Sequence, residues 1–210
     1  DHAILLRRAV RETAKSFGLG ATFMAKPFME TAGSGLHIHI SLKNEKGELL
    51  FQTDSKHETN YNQNVEHAVG GLAQTMEEGM AIFCPNANSY RRFQPGFFAP
   101  ITPNWGPNHR NLSIRIPLSD SDNVRIEHRA AGADANPYLV MACVLAGIHC
   151  GLKNKITPPE MISEREVIDP EVTLPVKWDK ALDAFENATV LNEYLGKEYS
   201  DLFLRSRRCE

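Results

Sequence analysis

The chain opens on a helical stripe. Leu6, Val10, Ala14 and Phe17 recur near every 3.6 residues, and Gly18 and Gly20 end the run ahead of a short strand expected over 21–25. From 36 to 42 the period becomes two: Leu36, Ile38, Ile40 and Leu42 take one side, His37, His39 and Ser41 the other, which is the pattern of a half-buried strand. Turn residues at 44–47 lead toward a second strand near 49–52, so a hairpin is expected. Helical spacing returns over 61–83 through Val65, Val69, Leu72, Met76, Met80 and Phe83, and Cys84-Pro85 closes it. Residues 85–107 keep no period and are rich in Asn, Pro, Gly, Arg and aromatics, the character of a long functional loop.

Two further alternating runs follow. Leu112, Ile114 and Ile116 oppose Asn111, Ser113 and Arg115; Val124, Ile126 and His128 oppose Arg125, Glu127 and Arg129. The polar connector 119–123 predicts an antiparallel hairpin. Asn136 as N-cap and Pro137 as first helical residue start a helix that is apolar nearly all round to Leu152, hence buried. Pro158, Pro159, Pro170 and Pro175 mark an irregular excursion before helices near 179–188 and 191–204, which pack through Leu182, Phe185, Leu195 and Phe203. These elements predict an α+β fold in which a curved antiparallel β-sheet carries the site and helices pack behind it. Both ends fall inside helical patterns without capping signals, so a piece of a longer chain is expected.

Composition narrows the classes. At 210 residues, 42% hydrophobic and 23% charged, the chain has material for a sizeable core, which excludes disorder and fibrous repeats. Lys+Arg 23 against Asp+Glu 26 leaves no basic field for nucleic acid. The longest near-apolar run, 139–148, is far short of the ~20 residues of a membrane helix. Cys84, Cys143, Cys150 and Cys209 are scattered without a pairing framework, which fits thiols in a reducing cytoplasm.

Candidate chemistry sits on the two polar strand faces. His37, His39 and Ser41 share one face at about 6.5–7 Å intervals, and the preceding Gly33-Ser34-Gly35 lets backbone N–H groups come close to a ligand. A single strand histidine is more often a satisfied residue than a ligand. The second face holds three arginines around one carboxylate: Arg115 with Arg125, Glu127 and Arg129. A solvated face would mix Lys, Thr and Ser, whereas the guanidinium fork matches carboxylate and phosphate oxygens. Arg92 and Arg110 from adjoining loops bring the arginines to five, enough to converge on an anionic substrate. His37 and Glu127 can supply part of a Mg²⁺ or Mn²⁺ shell, the remainder falling to water, substrate oxygens or carboxylates elsewhere. A small metal-binding β-barrel using His37, His39 and Glu45 is the rival from a different class; it leaves the arginines unexplained.

The runs ATFMAKPF, GSGLHIHISL, NSYRRFQPG, WGPNHRNLSIRIP and RIEHRAAGADANPYLVMA resemble, in order and spacing, the catalytic-domain signatures of the glutamine synthetase family. The wording of the first and last is closest to the branch that ligates glutamate to polyamines, the gamma-glutamylputrescine synthetases. The resemblance implies that 1–210 is the C-terminal part of the catalytic domain, with a small β-grasp domain and the first catalytic strands preceding it. It implies a parent built as a homo-oligomeric ring, hexamer or dodecamer, with ATP, L-glutamate and an amine as substrates. By the same resemblance His37 and Glu127 bind the metal, and His39, Ser41, Arg115 and Arg125 line the ATP site. Gly33, Arg92, Arg110 and Arg129 meet glutamate, with Arg110 and Arg115 on the transferring phosphate. Two positions depart from the ammonia-using enzymes: Phe98 replaces a loop glutamate that helps deprotonate ammonium, and Ala32 replaces an asparagine that touches glutamate. Phe97 and Phe98 favour an organic amine over ammonia. A glutamine-synthetase-like protein without catalysis is a further alternative, opposed by the intact Arg110, Arg115, Glu127 and Arg129.

Overall fold

A computed structural model describes residues 1–94, 99–120, 123–163 and 172–209. In chain order it contains α1 (His2–Ser16), β1 (Ile38–Ile40), α2 (Gln63–Phe83), a 3₁₀ turn (Ser89–Arg92), β2 (Trp105–Pro107), β3 (Ile114–Ile116), β4 (Ile126–His128), α3 (Pro137–Asn154), α4 (Trp178–Glu186), α5 (Val190–Leu195) and α6 (Lys197–Arg208).

The two long helices form where the 3.6 period is longest. Asn62 caps α2 by accepting from the Val65 N–H, and Asn136 caps α3 by accepting from Tyr138 N–H with Pro137 in the first turn. Their axes come unusually near because glycines line the crossing: a Cβ on Gly71 would lie 2.1 Å from the Gly147 carbonyl oxygen and 2.5 Å from the Gly151 nitrogen. Val65, Val69, Leu72, Met76 and Met80 on α2, with Val140, Cys143, Val144 and Ile148 on α3, form one apolar cluster with Ile40, Ile114, Ile116 and Ile126 of the sheet. The sheet therefore rests its apolar side on the helical layer and turns the other side away from it.

That sheet runs β1-β4-β3-β2. The β1/β4 and β3/β4 pairs are antiparallel as expected, but β2 adds in parallel to β3, so the sheet is mixed. β2 lies inside the stretch read as loop; its sequence, Trp-Gly-Pro, has no alternation to reveal a strand. Four open strands backed by helices also set aside the β-barrel alternative.

Several local expectations are corrected. Residues 21–25 form no strand, because the Ala25 carbonyl accepts from the Ser34 N–H and Lys26 pairs with the Asn88 side chain instead of with a ladder. Only Ile38–Ile40 of the 36–42 run is strand; beyond it a single bridge, Lys43 to Leu49, is what remains of the expected hairpin. The helix expected over 191–204 is broken at Gly196, whose φ of 83° belongs to the left-handed region. α1 is helical as expected yet buries none of its residues; Arg7 ties it to the Ala135 carbonyl, and Arg7 and Arg11 lie over the Phe23 ring.

Candidate active site

Register alone assembles the centre. His39 pairs with Glu127 across β1/β4, and Glu127 pairs with Arg115 across β4/β3, so one row of side chains crosses three strands on the polar side. The neighbouring row, Ile38, His128 and Ile114, faces the core; there His128 is buried against the Phe83 ring at 4.6 Å between centroids.

Glu127 is the hub, with 2% of its side chain exposed. Arg115 Nη1 donates to Oε2 and Arg129 Nη1 to Oε1, both at 2.8 Å. His37 Nδ1 stands 3.0 Å from Oε1, and His39 Nε2 stands 3.7 Å from it. Burial pushes the Glu127 carboxyl up, but the His37 hydrogen bond and the Arg129 and Arg115 guanidiniums outweigh it and hold the group at about 2. It is a permanent carboxylate at neutral pH. Burial lowers His39, with Glu127 opposing and Arg125, His37 and Arg115 reinforcing, so its ring stays neutral there.

The arginines are themselves held. Arg129 Nη2 donates to the Arg110 carbonyl at 2.9 Å, and Arg115 Nη2 donates to Asn108 Oδ1 at 3.0 Å. Asn108 escaped the sequence reading; its φ of 51° is a conformation that asparagine tolerates better than most residues, and Asn-His-Arg ahead of a strand was the available signal. The Nε atoms of Arg115 and Arg129 are buried and make no hydrogen bond among the described residues. Arg92 joins the group from the 3₁₀ turn: it is buried, and its Nη1 donates to the Ala130 carbonyl at 3.1 Å. A Cβ on Gly33 would sit 3.0 Å from the Arg92 Cγ, and one on Gly35 would sit 3.2 Å from His37 Nε2 and 3.3 Å from Arg92 Nη2. Gly35 is thus the point where the Arg92 guanidinium and the His37 ring meet.

The structure brings His37, His39, Glu127, Arg115 and Arg129 together, with Arg92, Gly33 and the Arg110 backbone adjoining. Two expected residues stand outside the hydrogen bonds around Glu127: Ser41 is exposed beyond β1, and Arg125 Nη1 reaches back to the Asn123 carbonyl at 3.4 Å, although the Arg125 charge still acts on His39. The Arg110 side chain is exposed, and Phe97 and Phe98 lie outside the described residues.

A divalent cation fits two positions of this centre. Neighbouring donors in a Mg²⁺ octahedron with bonds near 2.1 Å lie about 3 Å apart, the separation of His37 Nδ1 and Glu127 Oε1. Among the described residues no group of three or more His, Cys, Asp or Glu side chains forms a fuller shell.

All 210 residues match the family model for the glutamine synthetase catalytic domain. The chain belongs to the glutamine synthetase family. It is 41% identical over 203 residues to gamma-glutamylputrescine synthetase PuuA of Escherichia coli K12, covering 97% of this chain and 42% of that protein. Against the glutamine synthetase of Pyrococcus abyssi it is 35% identical over 218 residues, covering 100% and 48%. Among solved structures, a GmaS–ADP complex superposes with a TM-score of 0.85 at 29% identity, covering all of this chain and 49% of that one; ligand-free GmaS gives 0.84 at 30%, covering 98% and 48%. The chain spans about half the length of the relatives it matches. No helix among the described residues of this glutamine synthetase family member is long and apolar enough to cross a membrane.

Proposed function

We propose that this chain is the C-terminal part of the catalytic domain of an ATP-dependent ligase that joins the γ-carboxylate of L-glutamate to an organic amine, of which putrescine is the model case. The single observation that carries the reading is the buried Glu127 carboxylate gripped by Arg115, Arg129 and His37, with Arg92 meeting that cluster across Gly35. The greater identity to the putrescine-using relative than to the Pyrococcus enzyme supports the amine. Full activity belongs to a longer chain assembled as a ring.

The chemistry needs two anions to meet. The glutamate γ-carboxylate oxygen bonds to the γ-phosphorus of ATP as ADP leaves; the amine nitrogen then bonds to the acyl carbon as phosphate leaves, its proton passing to a base. Arg92 and Arg129 orient the amino-acid carboxylates through charge-assisted hydrogen bonds. Arg110 and Arg115 neutralise charge on the transferring phosphoryl group. His39, Ser41 and Arg125 flank the nucleotide, and Gly33 presents backbone to the amino acid. When bound through His37 and Glu127, Mg²⁺ or Mn²⁺ supplies further charge neutralisation and Lewis acidity. The four free cysteines support placing the protein in the cytoplasm.

The test is phosphate release by the full-length protein with ATP, glutamate and a panel of ammonium, putrescine, spermidine and ethanolamine. Release that depends on glutamate and is fastest with an alkylamine is expected, with none from the 210 residues alone. Preference for ammonium would make the protein a glutamine synthetase proper, and glutamate-independent hydrolysis would remove the ligase reading.

A further inference from the structure

The β4–α3 connection contains a carboxylate that the catalytic assignments leave unused. Asp134 Oδ2 accepts from Ser89 Oγ at 2.7 Å and from Asn86 Nδ2 at 2.8 Å. Ser89 is fully buried and opens the 3₁₀ turn that ends at Arg92. Arg92 in turn donates to the Ala130 carbonyl, four residues upstream of Asp134 on the same connection. The contacts close a ring: Asp134 holds the start of the turn, Arg92 grips the chain that leads to Asp134, and the turn spans the two.

The ring is braced on the glycine side. Asn88 accepts from the Lys26 N–H at 2.9 Å and donates to the Lys26 carbonyl at 2.8 Å. The Ser34 N–H donates to Ala25, the Ala133 N–H donates to Ser34, and the Leu36 N–H donates to Ala131. Gly33 and Gly35, which bracket the Arg92 side chain, therefore hang from the same connection that carries Asp134. A guanidinium on a flexible stem, held only through its tip at the Ala130 carbonyl and Cys84, could swing about those contacts; fixing the backbone of its own turn removes that freedom.

We infer that Asp134 is a positioning residue for glutamate: through Ser89 and Asn86 it sets where the Arg92 guanidinium stands. The inference rests on the ligase reading given above, in which Arg92 holds a substrate carboxylate. It is distinct from general stabilisation, since the side chain acts on the one turn that bears a substrate arginine and touches neither Glu127 nor its partners.

The test uses the full-length protein. Asp134→Ala is expected to raise the glutamate KM about tenfold, the scale of one lost buried hydrogen bond, with the ATP KM and the kcat at saturating glutamate within about threefold of the parent. Asp134→Asn keeps one acceptor oxygen and is expected to recover most of that loss. Equal losses for ATP and glutamate, or an unchanged glutamate KM, would overturn the inference. A second reading needs no turnover: Trp178 packs on Tyr90 of the same turn at 6.1 Å between centroids, so the part of the emission that Trp178→Phe removes reports the turn. Asp134→Ala is expected to shift that emission, and an unmoved spectrum counts against the inference. A parent inactive with glutamate would sink the ligase reading alone and leave the emission to decide whether Asp134 sets the turn.

Discussion

Between α2 and α3 two backbones touch through Gly71, Gly147 and Gly151, and apolar side chains fill what is left; on the far side of the sheet, two guanidiniums and two imidazoles crowd one carboxylate from strands of three residues each and the residues that flank them. The first region is held by shape. Its contacts are non-directional, and its helices were long enough to announce themselves. The second is held by direction and charge: each bond there has a donor, an acceptor and an angle, and the desolvation of Glu127 is offset only because several donors converge on it. The helical seam is sensitive to volume, and the polar face is sensitive to which partner is removed.

The largest effect is expected in the seam. Gly71→Val places a branched side chain where even a Cβ would stand 2.1 Å from a carbonyl oxygen, and a loss of about 4 kcal/mol or more is expected in urea unfolding. A variant melting within about 1 kcal/mol of the parent would erase the contrast between the regions. Next comes Glu127→Ala, which leaves Arg115 and Arg129 without their anion at a buried site; a loss of about 3 kcal/mol with helical circular dichroism retained would show that the polar face is dispensable to the helices. If the helical signal collapsed as well, the two regions would be one cooperative unit.

The smallest effect is read by titration. Burial, assisted by the His37 charge, brings His128 down to about 4, below its ordinary value of about 6.5. The folded chain therefore refuses a proton that the unfolded chain accepts. Stability is full above pH ~6.5 and falls as the pH drops toward 4, by on the order of 2–3 kcal/mol. Glu127 adds a second decline: its depressed carboxyl contributes above pH ~4.5 and that contribution is lost as the pH falls toward 2. His128→Phe should flatten the first decline and keep the second. Equal slopes in both chains would show that the core side of the sheet takes no part in the acid response.

Where a period ran long enough, the sequence was readable. α3 starts at its Asn136 cap as expected and α2 starts two residues later than expected, behind an Asn62 cap that the apolar spacing did not mark; the alternations around Ile38, Ile114 and Ile126 set His37 with His39, Arg115, and Glu127 with Arg129 apart from their apolar neighbours, and the register then brings them together. The failures share a cause. β2 pairs in parallel through Trp-Gly-Pro, which has too few residues to show a period, and the strand expected over 21–25 is likewise too short for its pattern to show that the Ala25 carbonyl is taken up by the Ser34 N–H. Gly196 was passed over inside an apolar spacing that continued across it, and only a positive φ reveals the break. The Asp134–Ser89–Asn86 set was illegible for another reason: its hydrogen bonds join segments 45 and 48 residues apart, and no local spacing encodes them.

A single absent methyl group at position 35 ties the two halves of the polar face together. With a hydrogen as its whole side chain, that residue lets the tip of Arg92 and the ring of His37 share one small volume. Whatever moves the arginine is felt by the imidazole, so the grip on an amino acid and the seat of a cation would be tuned jointly and not one at a time.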